Sequence, residues 1–288
     1  MAAKLSPRLG IPLLMLIAVT FSLNHISARV AFDHGASVPA AVLARSAVTA
    51  VVVFALLRLQ GVALALPRAT LARAVLIGLV LAVQSYCLYA AVARIPVALA
   101  LLAFNTFPVM LSLLSWATGR GRPGARALIA MPVALVGLAI ALDVWGKPLS
   151  AGVLWALGAA LAFSTVLLLT DRWLKEIDGR IRSMLTMATT AVVVALAAGA
   201  TGSLVAPADA TGWLGLALLS VLYGLAITSL FVVLPMLGSA NYAVVLNFEP
   251  IAALFLAWMI IGQAIAPLQV FGAFVVMGAI AWLGLARR

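Results

Sequence analysis

The chain has 288 residues, 66% of them hydrophobic and 9% charged, with a mean hydropathy of +1.24. Soluble domains carry about a quarter of their residues charged, so this chain cannot build a water-facing surface and is read as an integral membrane protein. The net charge of +11 does not point to nucleic acid, because the basic residues stand in short runs between apolar stretches, and the single cysteine, Cys87, excludes an internal disulfide or paired Cys/His metal site.

A membrane-spanning helix needs about 20 mostly apolar residues. Ten stretches qualify in chain order: 11–31, 38–58, 74–93, 96–116, 127–143, 151–170, 183–202, 212–234, 241–261 and 267–286. Between them stand breakers such as Gly35, Pro67, Pro123, Gly124, Pro148, Gly179, Pro207, Pro235 and Pro267. The first stretch follows Lys4 and Arg8 as a secretory signal would. It recurs as a member of an internal repeat, however, and is read as a span.

The basic residues test this count. With the N-terminus inside, the cytoplasmic segments hold Lys4, Arg8, Arg58, Arg68, Arg73, Arg120, Arg122, Arg126, Arg172, Lys175, Arg180, Arg182, Arg287 and Arg288, which is 14 of the 18 Lys and Arg. The outer loops keep Arg94 and Lys147, while Arg29 and Arg45 fall within spans. This alternation follows the positive-inside rule, and one miscounted span would destroy it. Both termini are expected in the cytoplasm, and the chain in the inner membrane.

A shift of 142 residues lays Phe104-Asn105-Thr106-Phe107-Pro108 on Leu246-Asn247-Phe248-Glu249-Pro250. The same shift pairs Trp116 with Trp258, Phe21-Ser22 with Phe163-Ser164, and Val51-Val52 with Val193-Val194; Gly137 matches Gly278 at 141. The expected organisation is a first five-helix repeat over 1–143, an outer linker over 144–150 and a second repeat over 151–288. Five is odd, so the second copy threads the membrane upside down. Inverted repeats of this kind build secondary transporters, with a solute site between the halves.

Asn247-Phe248-Glu249-Pro250 running on to Ala257-Trp258-Met259-Ile260-Ile261-Gly262, and its partner stretch Pro108 to Trp116, resemble the EamA-type drug/metabolite transporter superfamily. Arg45 near the start of the second span and Tyr89-Ala90 before the third connection add to the likeness, which covers both halves. Within that superfamily the chain resembles the YddG-like exporters of aromatic and other amino acids. It departs from the usual pattern at Phe21-Ser22, where Trp-Gly is common, and at Gln263, where Glu often follows the ninth helix. The resemblance implies an all-α basket of ten helices around a central cavity. Its halves would rock to open the cavity on alternate sides, with helices four and nine bending.

Residues shared by both halves serve the scaffold, whereas polar residues present in one half only are free for function. Asn105 and Asn247, Pro108 and Pro250, and Trp116 and Trp258 are of the first kind. A proline inside a helix removes one hydrogen bond and kinks it. The freed carbonyl needs another donor, which an asparagine three residues earlier can supply. Pro108 and Pro250 are thus candidate gating kinks, the alternative being static bends.

Glu249, Arg45, His25, Asn24 and Gln84 are of the second kind, their repeat mates being Phe107, Met187, Leu167, Val166 and Ala226. Glu249 is the one carboxylate deep within an expected span, where a charge costs roughly 3 kcal/mol or more and should face a cavity or a partner. It is read as binding a cationic group or taking a proton, against a purely structural carboxylate. At ~1.5 Å rise per residue, Arg45 and His25 lie ~10 Å from the outer surface and Glu249 ~12 Å from the inner one. Glu249 is thus several ångströms deeper than both. Arg45 could reach it through its long side chain or snorkel to headgroups, while His25 is read as the better match, either as a proton relay or as a hydrogen-bonded helix contact. Gln84, Tyr86, Tyr89 and Tyr223, with Ser164, Asn105 and Asn247, complete the candidate cavity lining, because aromatic faces with polar tips suit a solute with an apolar side chain and a polar head.

The expected activity is export of amino acids or related metabolites by alternating access, with drugs or other metabolites as the alternative cargo. No P-loop is present, so ATP is not expected to be used directly, and no cofactor or metal is expected. If protons drive the cycle, Glu249 and His25 are the candidate carriers. An intramembrane enzyme acting on lipids would want paired acid/base groups, but the remaining carboxylates lie near helix ends or loops and the histidines are not arranged with carboxylates in the sequence. A channel would show a filter or charged ring, and none is visible.

Overall fold

Helices apolar on every side have no face suited to water, and the side chains left outside are the large apolar ones. Val83, Leu154, Leu196, Val221, Leu225, Phe271 and Trp258 all stand exposed around the perimeter. The computed structural model describes residues 6–119, 125–141, 150–236, 246, 248–264 and 266–285. Eleven helices are seen among them: α1 (Pro7–Asp33), α2 (Val38–Leu59), α3 (Arg68–Val92), α4 (Val97–Phe104), α5 (Phe107–Ala117), α6 (Ala125–Ala141), α7 (Ala151–Trp173), α8 (Gly179–Thr201), α9 (Ala210–Met236), α10 (Glu249–Ile261) and α11 (Pro267–Leu285). Counting α4 and α5 as one span gives ten, of which seven are long and apolar enough to cross a membrane and three are shorter apolar helices.

The helices pack across the two halves more than within them. The pairings exchange as a twofold relation requires: α1 lies on α9 as α7 lies on α3, α2 touches α9 as α8 touches α3, and α1 meets α10 as α7 meets α4 and α5. The remaining large contacts, α2 with α8 and α6 with α11, join each helix to its own repeat mate. The architecture is therefore an all-helical membrane fold of two inverted five-helix repeats.

Close crossings are made at small residues, as in other membrane bundles. A Cβ placed on Gly215 of α9 would stand 2.9 Å from the Ser27 carbonyl and the Ala31 amide of α1. On Gly272 of α11 it would stand 2.4 Å from the Ala141 amide and 2.6 Å from the Gly137 carbonyl of α6. Gly137 thus packs against Gly272, while its sequence mate Gly278 faces open space.

Two expectations change. The fourth span is interrupted rather than kinked: α4 stops at Phe104, and α5 restarts at Phe107 with Pro108 in its first turn. Pro235, expected in a connection, lies within α9.

The ends of α2 and α8 are tied to the opposite half. On one side the Ser37 amide donates to the Val205 carbonyl, the Val205 amide donates to the Ser37 hydroxyl, and the Ala208 amide donates to the His34 carbonyl. His34 Nδ1 also lies 2.7 Å from an Asp209 carboxylate oxygen. Across the molecule, in the related position, Arg180 donates to Gln60.

Candidate functional site

Five helices bring polar side chains into one buried region between the halves. From α1 come Ser22, Asn24 and His25; from α2, Arg45, Ser46 and Thr49; from α3, Gln84, Ser85 and Tyr89; from α9, Tyr223; and from α10, Glu249. Nearly all of them are apolar in the other copy of the repeat. Asn24, His25, Arg45, Gln84, Ser85, Tyr223 and Glu249 correspond to Val166, Leu167, Met187, Ala226, Ile227, Leu81 and Phe107. The twofold relation is thus kept in the scaffold and broken in the site.

The acidic end of the cluster is Glu249. Its carboxylate lies 3.3 Å from His25 Nε2, with the Glu side chain 18% exposed and the imidazole almost fully buried. Of the two cationic candidates, the structure brings His25 to this carboxylate. His25 Nδ1 has no hydrogen-bond partner, and its ring stands edge-on to Tyr89 at 5.8 Å. The Tyr89 hydroxyl donates to Asn24 Oδ1 at 3.2 Å, and Asn24 Nδ2 donates to the Leu219 carbonyl at 2.5 Å. An asparagine that must satisfy both ends of its amide away from water therefore fixes α1, α3 and α9 together.

Arg45 is 4% exposed. It does not snorkel; its guanidinium is stacked between two tyrosines, 4.9 Å from the Tyr89 ring centre and 4.0 Å from that of Tyr223. Nη2 donates to Ser85 Oγ at 2.7 Å, and Ser85 Oγ lies 3.4 Å from Gln84 Oε1 as a donor. Gln84 therefore adjoins the arginine through Ser85. Aromatic faces attract a guanidinium and keep water from it, which explains how α2 retains a charge at this depth.

In the related place beside α7, Phe107 occupies the position of Glu249 and packs with Phe104 and Phe163 at ring separations of 5.6 and 5.0 Å. One half thus carries a phenylalanine cluster where the other carries a carboxylate and an imidazole.

The remaining candidates lie elsewhere or act differently. Tyr86 points away from the cluster and packs edge-on against Trp155 at 5.7 Å. Asn105 donates its side-chain amide to the Leu101 carbonyl, not to the Phe104 carbonyl that Pro108 leaves without its i+4 donor, because the chain leaves the helix at Asn105. Ser164 donates to the Phe107 carbonyl at 2.8 Å, an interhelical tie. Asn247 lies outside the described residues. Pro250 is buried in the first turn of α10.

Linear spacing also misleads about the histidines: helix packing sets His25 beside Glu249 and His34 beside Asp209. Among the described residues no three His, Cys, Asp or Glu side chains converge as a metal site would require. Ser22 and Ser85 were not singled out by sequence reasoning. Ser22 was visible as the repeat mate of Ser164; Ser85 carried no signal beyond standing next to Gln84.

Residues 8–142 and 150–285 each match the sequence profile of the EamA-like transporter family. No curated protein matches the chain significantly. Among solved structures, a crystal structure of a protein superposes with a TM-score of 0.67 at 19% identity, over 96% of this chain and 99% of its own. At that identity the likeness speaks for the fold alone.

Proposed function

The chain belongs to the EamA-like transporter family, and from that premise we propose that it exports amino acids, aromatic ones among them, across the inner membrane by alternating access. That it is a membrane transporter of small solutes follows from the family; the cargo and the cycle are our reading. The observation that carries it is the His25–Glu249 pair, 3.3 Å apart and set between the two halves. A carboxylate there binds an ammonium group or exchanges a proton as the halves rock. Its mate Phe107 does neither. Phe21 and Tyr223, whose rings meet at 5.9 Å, offer an aromatic side chain a wall close to that carboxylate.

The test is counterflow in liposomes holding the full-length protein, with labelled L-phenylalanine outside and unlabelled amino acids inside. Saturable, trans-stimulated uptake is expected, with Glu249→Gln reducing it by about tenfold or more, the scale set by losing a charge-assisted hydrogen bond. Native rates in Glu249→Gln at all pH values would remove the carboxylate from the cycle. Stimulation by other organic cations but not by amino acids would favour a drug exporter, and chemical conversion of the probe would indicate an enzyme.

A further inference from the structure

We infer that Arg45 is the receptor for the carboxylate of the transported solute, and that Tyr223 is the movable cover of that receptor. The inference rests on the transporter reading and adds to it a second charge, opposite in sign to Glu249.

Three observations carry it. First, Arg45 is a buried cation with unused capacity. A guanidinium has five N–H donors; one is accepted by the neutral Ser85 hydroxyl, and Nε has no partner. None of the ion pairs among the described residues includes Arg45, and Glu249 is engaged by His25. Burying an unpaired charge is costly, and a bidentate carboxylate is the ligand whose geometry matches the guanidinium fork.

Second, the scaffold has no need of the charge. The mate of Arg45 is Met187, which is buried in an apolar cluster with Leu81 and Val166. The same helix packing is thus satisfied in the other half without any cation.

Third, the two stacking rings are held differently. Tyr89 is fully buried, tied through its hydroxyl to Asn24, and flanked by Phe32 and His25. Tyr223 is half-buried and contacts Phe21 and the guanidinium through its ring face and edge. A carboxylate that displaces Tyr223 leaves Arg45 stacked on Tyr89 and bonded to Ser85, with Nε and its remaining N–H groups turned to the anion. His25 touches Tyr89 on one side and Glu249 on the other, so the anion receptor and the Glu249 site belong to one polar cluster. A solute bearing an ammonium and a carboxylate on one carbon, an α-amino acid, has a group for each as the halves close on it.

The experiment uses the purified full-length protein, its intrinsic tryptophan fluorescence, and three probes: L-phenylalanine, L-phenylalanine amide, which lacks the carboxylate, and phenylacetate, which lacks the ammonium. Arg45→Met installs the residue already tolerated at position 187. It should weaken phenylalanine and phenylacetate by about tenfold or more and change the amide by less than about twofold. Retained binding of the amide also reports that the variant is folded. If Arg45→Met fails to fold, Arg45→Lys keeps the charge without the fork and should give an intermediate loss for the two carboxylates alone. Equal loss of all three probes, or no Arg45-dependent binding of either carboxylate, overturns the inference. Liposome transport separates it from the broader reading. Phenylalanine carried equally by wild type and Arg45→Met sinks the receptor and leaves the amino-acid transporter standing. Arg45-dependent binding of phenylacetate, without amino-acid transport by the wild type, does the reverse.

Discussion

The Ser22 hydroxyl donates to the Glu249 carbonyl at 2.7 Å, just ahead of Pro250. The same bond recurs 142 residues on, where Ser164 donates to the Phe107 carbonyl ahead of Pro108. Each hydroxyl also lies within hydrogen-bond distance of a carbonyl in its own helix, Ala18 or Ala160, so its single proton is shared between two acceptors. The pair therefore ties α1 to the start of α10 and α7 to the start of α5, by related geometry on either side of the twofold.

Because the two ties are equivalent in geometry, Ser22→Ala and Ser164→Ala should cost similar stability, about 0.6–1 kcal/mol each on the scale of interhelical hydrogen bonds in membranes. Thermal unfolding in detergent should record a decrease of about 1–4 °C for each. Transport should separate them: Ser22 holds the backbone of the residue bearing the carboxylate, so its loss should slow phenylalanine counterflow more than loss of Ser164. Equal transport by the two variants would reduce both serines to packing.

Most of the architecture was legible before any coordinates, for a physical reason. Span number follows from hydropathy and the twofold from the 142-residue offset, and each is a property of the linear chain. The partner of Glu249 was not legible in the same way, since residue count times rise puts His25 and Arg45 at one depth and only helix packing brings His25 to the carboxylate. What depth arithmetic lacks is rotation about the helix axis. It placed Tyr86 and Tyr89 together, as their i, i+3 spacing also does, yet Tyr86 packs against Trp155 and Tyr89 against Arg45. The stacking of Arg45 between rings from α3 and α9 needs the rotation of three helices at once, and nothing in their composition specifies it. The proline in the fourth span was expected to kink a continuous helix and instead stands where one helix stops and the next begins; whether a helix bends or stops there depends on the neighbours that accept its free groups.

The tie between His34 and Asp209 should be sensitive to acid. Asp209 is held below the usual carboxylate range, first by the Gly212 amide donating to it and then by His34. A carboxyl that titrates lower when the loop is folded stabilises the fold above its ordinary value, about 4, and loses that contribution as pH falls through the lowered one. The junction between the α1–α2 and α8–α9 turns should therefore be unchanged from pH 7 down to about 5 and weaken below about 4. Asp209→Asn keeps a helix-capping side chain and removes the titration. Its unfolding midpoint should depend less on pH than that of the wild type between pH 3 and 5, and parallel curves would assign the acid sensitivity to other carboxyls.

Gly272 and Gly278 offer a stringent comparison, because both lie in α11 and the repeat alignment marks only the second. A Cβ at Gly272 would meet the Ala141 amide nitrogen, the Gly137 carbonyl oxygen and the Ala141 Cα, at 2.4, 2.6 and 2.9 Å. These are backbone atoms of α6 with no rotamer to change, so α6 and α11 must move apart and lose the dispersion contacts of the whole crossing. Gly272→Ala should cost about 1–3 kcal/mol, the usual range for overpacking, and lower the unfolding midpoint by several degrees. A Cβ at Gly278 would meet no neighbouring helix among the described residues within 4 Å. Replacing a helical glycine there with alanine should be neutral or stabilising by up to about 1 kcal/mol, since alanine restricts the unfolded chain. If glycine were retained at both positions to preserve the twofold, the two variants would be equally damaging. If it is retained only where backbones touch, as the distances imply, Gly272→Ala alone will be.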